Sequence, residues 1–106
     1  MGWKNVPKGT VNTLNVRVRF YGMVYDEVGT REWEMKLGRA STVNDLLSIL
    51  VERHPPLSGL VFDDEGVFRE YLEVAVNHTD IIGLNGLETV LQEGDVVLIM
   101  PPIGGG

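Results

Sequence analysis

The chain closes on Pro101-Pro102-Ile103-Gly104-Gly105-Gly106, and here residue type and spacing point most directly to chemistry. Two prolines favour a stiff, extended backbone, and three glycines strip the tip of side chains. Six residues reach at most about 20 Å at the extended-chain rise. The expected product is a thin thread ending in one α-carboxylate, narrow enough for a tunnel that rejects any Cβ. A frayed, Gly-rich terminus is the plainer alternative, and the hexapeptide alone does not separate the two.

The other reactive side chains form no comparable pattern. There is no cysteine, which excludes disulfides, thiolate metal sites, iron–sulfur ligation and a cysteine nucleophile. His54 and His78 are the two histidines and lack metal-ligand spacing, so no metal site is expected. Asp63-Asp64-Glu65-Gly66 lacks the ligand spacing of a calcium loop and reads as a solvated turn. Asn77-His78-Thr79 matches a glycosylation acceptor but, without a secretory signal, reads as a turn. Ser41, Ser48 and Ser58 have no nucleophile-elbow context, and no acid–base dyad emerges. The expectation is a domain with no active site and no bound cofactor of its own.

Nine basic against fifteen acidic side chains give a formal charge of -6. Phosphate-backbone binding needs a positive footprint, so nucleic acid is a poor partner and a basic protein surface a better one. The longest apolar run, Val96 to Met100, is far too short to span a bilayer, and the first residues lack a signal peptide's apolar run. A cytoplasmic protein with no membrane partner is expected. Its 106 residues suffice for one domain, and 43 % hydrophobic residues argue against disorder.

The elements that must position the thread follow from periodicity. Residues 1–13 are polar and aperiodic, and read as a disordered leader. From Leu14 the apolar Leu14, Val16, Val18 and Phe20 alternate with polar neighbours, as a half-buried strand requires. A turn around Asp26 to Thr30, with Gly29 for an awkward backbone angle, would return the chain through Trp33, Met35 and Leu37 as an antiparallel hairpin. The period then changes. Val43, Leu46, Leu47, Leu50 and Val51 mark one helix face, opened by Thr42 with Asp45 as a capping box and stopped by Pro55-Pro56. Leu57 to Glu70 reads as a loop. A third strand runs through Leu72, Val74 and Val76, turns are signalled at Asn85-Gly86 and Gln92 to Asp95, and Val96 to Met100 is the last strand. This order implies an α+β domain over 14–100, with one main helix on one face of a mixed sheet of four to five strands, and a flexible tail over 101–106.

The segments Val18-Arg19-Phe20-Tyr21-Gly22, Thr42-Val43-Asn44-Asp45-Leu46 and Leu72-Glu73-Val74-Ala75-Val76-Asn77 carry a resemblance. So does Leu91-Gln92-Glu93-Gly94-Asp95-Val96 running on into the terminal Pro-Pro and Gly-Gly. Together they are similar to the MoaD/ThiS family of sulfur carriers, which have the ubiquitin-like β-grasp fold, and most similar to small subunits of molybdopterin synthase. The resemblance implies a cargo carried on the main-chain terminus. A ubiquitin-activating-type adenylyltransferase would consume ATP to turn the Gly106 carboxylate into an acyl-adenylate. Sulfur would then replace AMP, and the thiocarboxylate would enter the molybdopterin synthase large subunit. Gly106 would be the reacting residue, Gly104 and Gly105 would give clearance, and Pro101 and Pro102 would hold the thread off the body.

Two further readings stay open. One is a ubiquitin-like modifier joined through Gly106 to target lysines; the other is a plain binding module with an incidental tail. The last strand is apolar on both faces, which fits either a doubly covered central strand or a partner patch made by Tyr21, Leu98 and Met100. In the second case Pro101, Pro102 and Ile103 extend the partner-binding surface.

Overall fold

A computed structural model describes residues 12–101. In chain order the elements are β1 (Thr13–Phe20), α1 (Gly22–Val28), β2 (Glu32–Gly38), α2 (Val43–Arg53), α3 (Ser58–Val61), β3 (Glu73–Val76), β4 (Thr79–Asp80) and β5 (Val96–Met100). The strands form one mixed sheet in the order β2-β1-β5-β3-β4. β1 lies antiparallel to β2 and parallel to β5, while β3 is antiparallel to both β5 and β4.

Period-two alternation sends Leu14, Val16, Val18 and Phe20 inward from β1, where they meet Met35 and Leu37 of β2 and Val97 and Ile99 of β5. Val43, Leu46, Leu47 and Leu50 of α2 close this layer from above. Each such buried aliphatic side chain stabilises the fold by roughly 1.5–3 kcal/mol relative to exposure. The capping box forms as expected: Thr42 Oγ1 accepts from Asp45 N–H at 3.2 Å, and Asp45 Oδ2 accepts from Thr42 N–H at 2.9 Å. Arg53 occupies the last turn of α2, where the helix dipole favours a cation, and His54 is the C-cap.

Two connections depart from the expected loops, and a third follows an expected turn with a short added strand. Between β1 and β2 the chain makes helix α1 rather than a simple turn. Val24 drives it, inserting into the core, and Gly29 at φ 85° ends it by donating its N–H to Tyr25 O at 2.8 Å. The segment after α2 also folds, with a 3₁₀ turn at Pro55–Leu57 and the single-turn helix α3, because Leu57 and Val61 are both fully buried. After β3, Asn77 and His78 adopt φ of 50° and 75°, both left-handed, as a two-residue hairpin turn requires. The chain returns only as the two-residue β4.

The Gly94-Asp95 turn is locked to that hairpin. Buried Asp95 accepts from Asn77 Nδ2 at 2.7 Å and from Gln92 N–H at 2.8 Å, while Asn77 Oδ1 accepts from Val96 N–H at 3.0 Å. The network sets where β5 begins, and therefore where it ends.

Candidate functional site at the root of the terminal segment

β5 runs between β1 and β3 and delivers the backbone to Pro101 at the sheet's end. Tyr21 N–H donates to Ile99 O at 3.1 Å, so the end of β1 is bonded to the end of β5. Gly22 follows, with φ of 59°. A Cβ placed there would lie 2.6 Å from Pro101 Cγ and 2.9 Å from Pro101 Cδ. The first residue of the terminal segment is thus seated on bare backbone.

Arg31 completes this corner. Its Nη1 donates to Phe20 O at 3.1 Å, and its guanidinium lies 4.1 Å from the Tyr25 ring centroid and 5.4 Å from that of Tyr21. Stacking on two rings fixes a cation beside the strand ends. An arginine here suits recognition of acidic or planar groups.

The sheet face opposite α2 carries the proposed patch. Strand alternation places Val96, Leu98 and Met100 on it, against Val97 and Ile99 on the core side. Tyr21 and Met100 are partly exposed there, as is Pro101. Leu98 is only 8 % exposed, set between its strand partners Arg19 and Ala75, so Met100 and Tyr21 supply the accessible part. Next to this apolar stripe the β1–β2 pair is ionic. Arg19 Nε lies 3.5 Å from Glu32 Oε1, and Arg17 Nε lies 3.7 Å from Glu34 Oε2 and 3.8 Å from Glu32 Oε2. Pro102, Ile103, Gly104, Gly105 and Gly106 lie outside the described residues.

The remaining sequence candidates are dispersed. His54 Nε2 is 3.3 Å from Glu27 Oε2 and edge-on to Trp33, while His78 sits in the hairpin turn. Asp63 accepts the N–H groups of Glu65 and Val67 at 2.8 and 2.9 Å, so its carboxylate is engaged by its own turn. Those bonds hold its pKa below the ordinary value. Among the described residues, no group of three or more acidic or histidine side chains is placed to hold a metal ion. Nor is any helix among them long and apolar enough to cross a membrane.

Sequence reasoning missed Gly22 and Arg31 as parts of this corner. The pairing of β1 with β5 that brings Gly22 to Pro101 spans almost the whole chain, and no local pattern announces it.

Residues 18–106 match the ThiS family. The chain belongs to that family. The match runs from Val18, within β1, through β5, so it takes in Tyr21, Gly22, Arg31 and Pro101 of the corner, and the β-grasp sheet and helix agree with it. Among curated relatives, small archaeal modifier protein 3 of Haloferax volcanii is 28 % identical over 93 residues, covering 88 % of this chain and 100 % of the relative. Small archaeal modifier protein 1 of the same organism is 27 % identical over 88 residues, covering 83 % and 97 %. The solution structure of small archaeal modifier protein 1 from Methanosarcina acetivorans is similar with a TM-score of 0.78 and 27 % identity, covering 89 % of this chain and 98 % of that one. The MoaD/ThiS resemblance therefore holds for family and for fold.

Proposed function

We propose that this ThiS-family chain is a carrier whose reacting group is the Gly106 carboxylate. A carboxylate is ionised at neutral pH and resists nucleophiles. An ATP-consuming adenylyltransferase partner would couple it to AMP, releasing pyrophosphate. A reduced sulfur nucleophile would then displace AMP and leave a C-terminal thiocarboxylate. The observation that supports this best is the corner itself: β5 ends at a partly exposed Met100, beside Tyr21 at the end of β1, and leads directly to Pro101, which rests on Gly22. That arrangement launches a thin peptide beside an apolar docking face. In this reading Tyr21, Met100 and Pro101, with Pro102 and Ile103, contact the partner, and Gly104 and Gly105 let the end pass a narrow channel. The thiocarboxylate's destination would be a molybdopterin synthase large subunit in the cytoplasm.

The names of the relatives favour a second reading of the same activated end, with small archaeal modifier proteins among them. A lysine amine of a target protein would displace AMP, giving an isopeptide bond. The chain's own lysines are Lys4, Lys8 and Lys36, which leaves few points for self-linked chains.

The test removes Gly105 and Gly106 and measures pyrophosphate release with a ubiquitin-activating-type adenylyltransferase and ATP. The truncated chain should lose the reaction and keep its melting temperature. Undiminished pyrophosphate release from the truncated chain would overturn the proposal.

A further inference from the structure

Four side chains form a row across the sheet's end on the face opposite α2, and the two at its ends carry opposite charges. Arg19 is the strand partner of Leu98 and Phe20 of Ile99, so Tyr21, one residue on, stands abreast of Met100. On the other side of β5, Met100 is the strand partner of Glu73. Val74 and Val76 enter the core, so alternation turns Glu73 to the Met100 face. Arg31 closes the opposite end of the row. Its backbone O accepts the Phe20 N–H at 2.9 Å, and its guanidinium lies over the Tyr21 ring. Neighbouring strands are about 4.8 Å apart, so Tyr21, Met100 and Glu73 span roughly 10 Å.

Neither terminal charge is answered within the described residues. Arg17 and Arg19, on the same face, are paired with Glu32 and Glu34, and Asp80 Oδ1 accepts the Ile82 N–H. Arg31, in a chain with fifteen acidic side chains, has no ion pair among the described residues. One of its five N–H donors goes to Phe20 O, and stacking on Tyr25 holds the guanidinium in place. The partly exposed Glu73 carboxylate likewise has no ion pair or hydrogen-bond partner among them.

We infer that Arg31 and Glu73 set the orientation in which the activating partner docks. An acidic side chain of that partner meets Arg31, a basic one meets Glu73, and an apolar one packs between them on Tyr21 and Met100. This rests on the reading of the chain as a carrier activated at Gly106. A partner turned half round would bring like charges together at both ends of the row. The pair therefore admits one orientation, and with it one direction for the terminal segment. Charges at the rim of an apolar centre act on encounter and register more than on affinity.

The test is steady-state pyrophosphate release by a ubiquitin-activating-type adenylyltransferase from the native cells, with ATP and the full chain as the varied substrate. Arg31→Gln and Glu73→Gln should each raise KM about threefold, and Arg31→Glu and Glu73→Lys about tenfold, with kcat unchanged. Arg31→Lys keeps the charge and should stay within about twofold of the unaltered chain. These differences should shrink as salt rises, because exposed charges are screened. Asp64→Lys changes the net charge as much as Glu73→Lys but lies on the exposed turn after Phe62, and should leave KM as it is. A merely structural Arg31 would give equal losses for lysine, glutamine and glutamate at every salt concentration. That result, charge-reversed variants as good as the unaltered chain, or an equal effect of Asp64→Lys would each overturn the inference. No pyrophosphate release from the unaltered chain would overturn the carrier reading and this inference with it.

Discussion

Gly22 and Pro101 are in contact across the ends of two parallel strands, with no room between them for a single carbon. Gly22→Ala should therefore have two effects. The left-handed φ of 59° should cost about 1–2 kcal/mol for a residue with a Cβ. Pro101 should also be displaced, moving the Ile99 and Met100 amide resonances and slowing adenylation of the terminus. Urea denaturation and amide spectra check both, and unchanged spectra would show that the contact does not direct the terminal segment.

Asp95 is the clamp that sets the start of β5. Asp95→Ala leaves the Asn77 side-chain amide and the Gln92 N–H without their acceptor, which should destabilise the domain by about 1–3 kcal/mol. Denaturant melts measure this. A loss below a few tenths of a kcal/mol would mean that water replaces the carboxylate freely.

Glu93 tethers the same turn to β1. Its Oε1 accepts the Asn15 N–H at 2.9 Å and its Oε2 the Asn15 side-chain amide at 3.2 Å, and these bonds hold its pKa below the ordinary 4.5. A carboxylate with a lowered folded pKa stabilises the protein above its unfolded pKa and loses that contribution as pH falls through the folded value. The Asn15 amide resonance should therefore titrate below pH 4.5, and Glu93→Gln should abolish that titration. An Asn15 titration at or above 4.5 would contradict the tether.

Met100 borders Pro101 on the face opposite α2 and is only partly buried. Met100→Asp should weaken binding of the activating partner by about tenfold or more while the fold persists. Circular dichroism with a binding titration separates the two effects. Loss of the fold would make Met100 a core residue.

Much of this architecture is legible in the residues because its causes are local. Alternation marks β1 and β2, an unbroken apolar run between turn signals marks β5, the spacing from Val43 to Leu50 marks α2, and Thr42 with Asp45 marks its first turn. The short elements are not legible. α1 buries one residue fully, Val24, and α3 is a single turn, so neither displays a period. β4 is two residues long and shows no period, although the turn at Asn77-His78 that leads into it is legible. The site divides in the same way. The composition of residues 101–106 is visible at once, whereas the seat for Pro101 depends on β1 meeting β5, a pairing that only the assembled sheet produces.

The most direct measurement is the intact mass of this protein isolated from its native cells. A fraction carrying sulfur in place of one oxygen on the last residue, or target lysines bearing a branched Gly-Gly remnant, is the result expected of an activated Gly106. An unmodified terminus throughout, with no branched remnants even when ATP and an activating enzyme are present, would contradict it.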